Sequence, residues 1–596
     1  MRIVLTVIVI ISLIKPAYGQ RGDWYNDEGG YSFQGAGTKD NPYLITSVEA
    51  LTFLAEQVNI WPGNSFHGEY FLLTEDIDLG RHFWIPIGSE AHQPFRGVLD
   101  GNGKIIRNLY IGNMDVDNVY AAAGFFGHLG NGARIENLTI SGGSIIGGGR
   151  EAVSRTGCLA GYLLCSVSEA KDSIVIRNCH IRDMKVTGAN TNVANTGGLI
   201  GEGYSFSDGG GEASILIENC SYSGHMKALP SNFPYTGGIV GKARGHGYCN
   251  GAGPSTGIFV IRSCLNRGDI TGGNTTGREA TSSTGGILGF GYGSGDGNGA
   301  NGASGSIIIE RCMNAGVITG GDAAGALAFS YTGGLAGYGD GYGYGDLSKE
   351  APGGSYGYGA FVMRMSANRG AVSSGGASDT TAVLSAGGLL GFGSGSASAD
   401  SAGRGGNAYG SLSVRDCYSY APLMAKRGFL GGLAGWIATI GQGANHAVSA
   451  VILDSYAAGS INKGDTIFPV VTGGIAGRMQ KSKEANRGPQ IGNCLTALAY
   501  LNGYIRLTFR VAGQIQGMQQ PFNNILGRNY AYVGDGDWVK ASTLKNGRNW
   551  SRQMLRVPVS SWNIKDNVWI IKEDGYGVMP VLGNMPGQQD DVPVVP

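Results

Sequence analysis

Nine cysteines, eight histidines and a scatter of Gly-flanked Asp, Ser and Tyr residues are the side chains in this 596-residue sequence that could do chemistry. The histidines (67, 82, 92, 128, 180, 225, 246 and 446) form no HExxH, so a metallopeptidase-type zinc site has no sequence support. No CxxC occurs either, which removes the commonest structural zinc spacing. Gly353-Gly354-Ser355-Tyr356-Gly357 fits GxSxG, but a nucleophile elbow needs a strand before it and a helix after it, and this one lies in a Gly/Tyr stretch. Asp296-Gly297-Asn298-Gly299 and Asp340-Gly341-Tyr342 resemble pieces of calcium loops, yet no acidic cluster completes a shell of six to eight oxygens. Arg21-Gly22-Asp23 occurs once, beside a cleavage site, and reads as coincidence. A glycosidase would need paired carboxylates, and no acidic pair recurs; Asp416 and Asp454 are better read as bend residues. No catalytic residue, metal site or cofactor is therefore expected.

Six of the cysteines are explained by their position. Cys179, Cys220, Cys264, Cys312, Cys417 and Cys494 each end a β-branched phrase such as IVIRNC or ILIENC, and Ser366 and Ser455 fill gaps in the series. A stacked inward column accounts for them better than disulfides, because a free Cys behaves as a small buried hydrophobe. Cys158, Cys165 and Cys249 are less constrained, and the odd total leaves at least one thiol unpaired or joined to another chain. One residue before the column stands Asn in Asn137, Asn178, Asn219 and Asn493, and Asp in Asp416 and Asp454. Ile176 and Cys179 cannot both point inward at strict period 2, so Asn178 must bend the chain; Asn tolerates the left-handed region. Arg311 and Met365 occupy the same column.

A third series sets the period. Thr196-Gly197-Gly198-Leu199-Ile200-Gly201 recurs ten times, with its third residue at 124, 158, 198, 238, 286, 334, 388, 432, 474 and 514. Three short β phrases per repeat near 40 residues, with no helical period, predict a three-sided coil stacked into an all-β parallel β-helix, a solenoid of about ten coils. At ~4.8 Å per rung, ten coils make a rod of roughly 50 Å. The ends need covers. Residues 46–58 supply one: Thr46-Ser47-Val48-Glu49 starts a capping box, and Val48, Leu51, Leu54, Ala55 and Val58 form an apolar stripe. Trp538, Trp550, Trp562 and Trp569 mark a C-terminal aromatic cap.

The chain divides accordingly: a signal peptide over 1–19, a lead over 20–45, the helical cap and irregular first rungs over 46–120, the repeat array over 121–530, the cap over 531–583 and a disordered polar tail over 584–596. Arg2, the apolar run Ile3–Ile14 and the small-residue end Ala17-Tyr18-Gly19 carry the signal-peptide reading, with the mature chain starting at Gln20. Loss of Arg2 and Lys15 leaves 42 basic against 44 acidic residues, which argues against a nucleic-acid partner. No later apolar run of ~20 residues predicts a membrane span. The 107 glycines lack a Gly-X-Y period, which excludes collagen.

The Gly198-Leu199-Ile200-Gly201 core and its copies resemble the GLUG motif, found in bacterial IgA-specific metallopeptidases and in many secreted proteins of gut Bacteroidetes. The head, GAGTKDNPYLITSVEALTFLAEQVN through FRGVLDGNGKIIRNLYI, looks like the N-terminal part of those proteins. The resemblance implies a right-handed β-helical, adhesin-like stalk at a bacterial surface, with the peptidase activity on a separate domain that this sequence lacks.

Gly-rich insertions at 203–213, 243–257, 290–305, 338–360, 392–411 and 436–447 fall in one slot of successive repeats and are expected to emerge as loops along one edge of the rod. Tyr338, Tyr342, Tyr344, Tyr356 and Tyr358 in them supply rings on an adaptable backbone, a pattern used in binding loops. The expected function is a non-enzymatic, secreted or surface adhesin-like protein recognising glycans or host and matrix proteins through that edge. The alternatives are a polysaccharide lyase or glycosidase, which rests on fold analogy, and a structural subunit of a surface assembly.

Overall fold

A computed structural model describes residues 31–582 with interruptions, the longest at 113–119, 347–355, 400–406, 463–469, 502–507, 518–529 and 541–568. The signal peptide, Arg21-Gly22-Asp23, Gly353 to Ser355, Asn493, Trp550, Trp562 and the tail lie outside the described residues.

The chain winds as a parallel β-helix, and each coil has four strands instead of the three read from the sequence. One turn runs Val193–Gly197, Ile200–Asp208, Glu212–Glu218 and Ser221–Lys227. Each strand pairs in parallel with its counterpart one coil on: Val193 with Phe233, Ile200 with Val240, Glu212 with Thr256 and Ser221 with Leu265. Stacking generates sheets of 10, 10, 12 and 16 strands, named sheets 1 to 4 in the order the coil visits them. Nine of the ten strands of sheet 2 begin at the fifth residue of one of the repeated phrases, as at Ile200, so the middle of the phrase forms the corner between sheets 1 and 2.

That corner explains the glycines of the phrase. A Cβ on Gly238 would stand 2.1 Å from the Gly286 carbonyl oxygen of the next coil and 2.6 Å from Cγ of Asn266, which reaches across the hollow from sheet 4. Gly286 and Gly334 meet Asn314 and Asn368 in the same way, at 2.4 and 2.3 Å, and Gly198 meets Tyr222 at 2.5 Å. The second glycine of the motif is thus fixed by a side chain on the opposite wall. The inner column Asn266, Asn314 and Asn368 is fully buried. Its amides form a ladder: Nδ2 of Asn266 donates to Oδ1 of Asn314 at 2.7 Å, and Nδ2 of Asn314 to Oδ1 of Asn368 at 2.8 Å. Complete pairing is what makes a buried amide row tolerable.

All nine cysteines are unpaired and buried, and the six in the column are at most 1% exposed. Sγ of Cys179 reaches the Arg177 carbonyl at 3.4 Å, and Oγ of Ser366 does the same to the Arg364 carbonyl at 2.8 Å, so Ser replaces Cys without an orphaned group. The preceding bend residues adopt the left-handed region: Asn137, Asn178 and Asn219 lie at φ of 55, 53 and 53°. Arg311 and Met365 hold the same conformation at 53 and 48°, a strain that longer side chains bear because the coil imposes it. The asparagines also link side chains, Asn219 to Asn178 at 2.7 Å and Asn178 to Asn137 at 2.8 Å.

The N-terminal helix is Val48–Asn59, with Ala50, Leu51, Leu54, Ala55 and Val58 buried over the first coils. Ser47 is its N-cap, accepting from the Ala50 amide at 3.4 Å, so the cap sits one residue later than a capping box at Thr46 requires. At the other end Trp538–Lys540 pairs antiparallel with Tyr530–Tyr532 and ends the parallel run of sheet 4; Trp569–Asp574 forms a separate hairpin with Gly577–Leu582.

Candidate functional site

The described parts of the Gly-rich insertions are mostly strands and not the loops expected. They lengthen the strands of sheets 2 and 3, as in Ala336–Asp346 and Tyr356–Arg364, and the two extended sheets pack on each other as a fin along the rod. The alternation in GYGDGYGYGD is a strand period with glycine inward. A Cβ on Gly343 would stand 2.3 Å from the Tyr409 carbonyl oxygen and 2.5 Å from that of Gly357, and one on Gly357 would stand 1.8 Å from that of Tyr344. Backbone therefore packs against backbone, and only glycine fits between the layers.

This geometry separates the five tyrosines. Tyr338, Tyr342 and Tyr344 face outward from sheet 2 and are half-buried, whereas Tyr356 and Tyr358 face outward from sheet 3, on the opposite side of the fin. Tyr338 is committed to a stack of rings: Phe290 lies 4.5 Å away and 6° from parallel, and Phe392 lies 5.1 Å away on its other side. The row continues to Trp436 at 5.1 Å from Phe392, with the Arg478 guanidinium 4.2 Å above that indole. Tyr331 of sheet 1 closes on Phe392 at 5.0 Å. Tyr338 is stacked face to face between Phe290 and Phe392 and has no face left for a ligand, and Trp436 meets Phe392 edge-on, so this row is a hydrophobic seam between sheets 1 and 2. Tyr342 stacks on Tyr292 at 6.0 Å.

Tyr356 and Tyr358 differ. They are 43% and 44% exposed, and Tyr409, opposite Tyr358 in the next coil, is 37% exposed. Among the described residues no aromatic ring lies against any of the three. Tyr409 was missed in the sequence because it is the lone Tyr of its insertion; the signal is its register with Tyr358. On the same outer face an aliphatic row, Val175, Leu216, Val260, Ile308, Val362 and Val451, is interrupted by Ser413. Beside it runs a row of alternating charge that sequence reading also missed. Arg177 pairs with Glu136 at 3.2 Å and Glu218 at 2.9 Å; Arg262 pairs with Glu218 at 3.4 Å and Glu310 at 3.0 Å; Arg364 pairs with Glu310 at 3.2 Å. Its signal is the R, E, R, E series two residues before each column position.

The polar residues of sheet 2's outer face are engaged with each other. His246 accepts from the Tyr204 hydroxyl at Nδ1 and donates from Nε2 to Asp296, both at 2.9 Å, the only assignment a neutral ring allows. Ser294 donates to the same carboxylate at 2.8 Å. Asp340 is buried and accepts from Ser394 at 2.8 Å; burial pushes its carboxyl up to about 6 despite the hydroxyls that oppose the shift. Asp296 and Asp340, the two calcium-loop candidates, thus serve as acceptors within the face. Among the described residues no group of three or more His, Cys, Asp or Glu is placed to hold a metal ion, and no helix is long and apolar enough to cross a membrane.

No family model matches the chain. Halomucin of Haloquadratum walsbyi is 30% identical over 189 residues, which is 30% of this chain and 2% of halomucin. A protein provisionally named as a Gly-rich membrane protein of Evansella cellulosilytica is 34% identical over 133 residues, 21% of this chain and 14% of that protein. The chain thus spans a small fraction of these curated relatives. A crystal structure provisionally assigned as an immunoglobulin A1 protease from Bacteroides ovatus aligns at 17% identity and a TM-score of 0.26, over 48% of this chain and 78% of that one.

Proposed function

We propose that this chain is a secreted or surface-exposed β-helical protein of the GLUG-repeat type, without catalytic activity, that binds glycans through the sheet 3 face of its fin. The observation that carries the reading is the trio Tyr356, Tyr358 and Tyr409, whose rings are open on a flat, rigid sheet. A sugar ring presents C–H groups on one face and hydroxyls on its rim, so neighbouring open phenols on a sheet offer stacking and hydrogen bonding without a loop having to be ordered on binding. Tyr358 and Tyr409 are adjacent-strand partners, so their backbones are about one strand spacing, ~4.8 Å, apart, while their rings do not stack on each other and each keeps its faces open. Tyr338, Tyr342 and Tyr344 belong to this reading only as the opposite layer that keeps the platform flat.

The Gly-rich and membrane-associated description of the Evansella relative agrees with a location at a cell surface. The experiment is a glycan and matrix-protein array probed with the chain and with a Tyr358→Ala/Tyr409→Ala variant. The platform carries no charge and is read as a site for neutral glycans: neutral-glycan hits that the variant loses support the reading, and neutral-glycan hits that it keeps refute the platform. Appearance of reducing ends or unsaturated products from a bound glycan would refute the non-catalytic part.

A further inference from the structure

The opposite side of the fin carries an uneven charge cluster. Where sheets 1 and 2 meet, Oε2 of Glu202 accepts from Nε of Arg155 at 2.7 Å and from Nδ2 of Asn195 at 3.0 Å. Its other oxygen lies 3.8 Å from Nζ of Lys242 and 3.9 Å from Nε of Arg244. One carboxylate is thus shared by three cations, a local excess of positive charge on a chain with 44 basic and 44 acidic residues. Lys242 is 7% exposed, and among the described residues no acceptor comes within hydrogen-bonding distance of its ammonium; the Glu202 oxygen stands 3.8 Å from it. The Tyr235 and Phe290 ring centroids lie 5.1 and 5.7 Å from Nζ. Aromatic faces offset part of the burial of a cation but accept no full hydrogen bond.

The surroundings fit a saccharide better than a bare ion. Tyr162, Glu202, Lys242 and Phe290 succeed one another in a column of sheet 2, faced by Arg155, Asn195 and Tyr235 of sheet 1. Arg155 lies 4.4 Å over the Tyr162 ring, and Arg244 5.8 Å from that of Tyr204. Tyr162 also lines a depression of about 210 Å³ with His128, Arg96, Asn131 and Ser166, the size of a single sugar ring. Nδ1 of His128 contacts the Gly88 carbonyl at 2.9 Å, which directs its N–H there and leaves Nε2 as an acceptor.

We propose that this corner is a binding site for acidic glycans, in which Lys242, Arg244 and Arg155 hold a carboxylate or sulfate and the adjoining sugar unit lies against Tyr162. The site is independent of Tyr358 and Tyr409, which face away from it on the other layer. The excess positive charge is matched by the ligand anion, and the Lys242 ammonium, at the surface end of a largely buried side chain, receives the acceptor the protein does not supply.

The test is calorimetric titration of the whole chain with oligogalacturonate, a heparin fragment and maltodextrin, repeated with Lys242→Met and Arg244→Gln. An acidic glycan should bind at least about tenfold more weakly to Lys242→Met and a few-fold more weakly to Arg244→Gln, as loss of a hydrogen-bonded charge partner requires. Preference between galacturonate and heparin identifies carboxylate or sulfate. Tyr358→Ala/Tyr409→Ala should leave this binding unchanged, so failure of the neutral-glycan platform and failure of this site are told apart. Equal binding of acidic and neutral glycans overturns the proposal. So does retention of acidic-glycan affinity within about twofold by Arg244→Gln with an unchanged melting profile, a result that stands even if Lys242→Met does not fold.

Discussion

Replacing Gly286 by Ala is predicted to unfold its coil locally. The new Cβ would stand 2.2 Å from the Gly334 carbonyl oxygen, 2.4 Å from Cγ of Asn314 and 2.6 Å from Oδ1 of the same residue. Carbon contacts settle at about 3.5–4.0 Å, so one wall must retreat by more than an ångström. Neither is free to do so. The Gly334 carbonyl belongs to the motif corner of the next coil, and the Asn314 amide donates to Asn368 at 2.8 Å and to the Gly316 carbonyl at 2.9 Å while accepting from Asn266 at 2.7 Å. Overpacking by a methyl costs about 1–3 kcal/mol, and giving up two of those buried bonds adds about 1 kcal/mol each. The sum is about 3–5 kcal/mol, which solenoid architecture confines to a coil and its neighbours. Amide exchange in Thr281–Gly285 and Leu288–Asn298 should accelerate roughly a hundredfold to several thousandfold by mass spectrometry. Gly302→Ala is the control, since its Cβ meets only ordinary contacts at 3.6 Å or more. If Gly286→Ala exchanges no faster than Gly302→Ala, the cross-hollow account of the motif glycine is wrong.

Two further outcomes follow from the charged rows. Glu218→Lys places a cation between Arg177 and Arg262, which Glu218 bridges at 2.9 and 3.4 Å; because these side chains are part-exposed, the expected loss is about 1–2 kcal/mol, diminishing in high salt. A thermal melt at low and high salt checks it, and equal loss in both would show that the row acts by packing instead of charge. Asp340 holds its proton more tightly folded, at about 6, than unfolded, near 3.8, so the native state binds more protons in between and stability falls as pH rises through that window. Above it the buried carboxylate costs about 2–3 kcal/mol, and Asp340→Asn should flatten the melting profile between pH 4 and 6.5. A profile of unchanged slope would remove Asp340 as its source.

The sequence revealed the β-helix because its punctuation repeats: a Gly-Gly-apolar phrase cannot recur ten times near 40 residues in a helical array or a set of unrelated domains. The Cys179 column and the Asn178 bend were legible for the same reason, each being set by a local conformation that few side chains satisfy. The fourth side was not, since strands such as Ile200–Asp208 and Glu212–Glu218 are joined by a short Gly-rich turn that reads as one continuous insertion. Gly also concealed the fin. Its strand propensity is poor, and only the opposing backbone layer, at 1.8–2.5 Å from the missing Cβ atoms around Gly343 and Gly357, converts a flexible stretch into a strand. Tertiary contact likewise decided which tyrosines stay open: Tyr338 and Tyr358 look alike in sequence, yet Phe290 and Phe392 cover the first and, among the described residues, no aromatic ring covers the second. The Arg155, Lys242 and Arg244 cluster is dispersed over about 90 residues and is assembled only by register.

The most direct measurement is the glycan array comparing the chain with its Tyr358→Ala/Tyr409→Ala variant, both with matching melting profiles. The account predicts neutral-glycan hits for the parent that disappear in the variant. Neutral-glycan hits that survive loss of both rings, or a silent array with a well-folded parent, would contradict it.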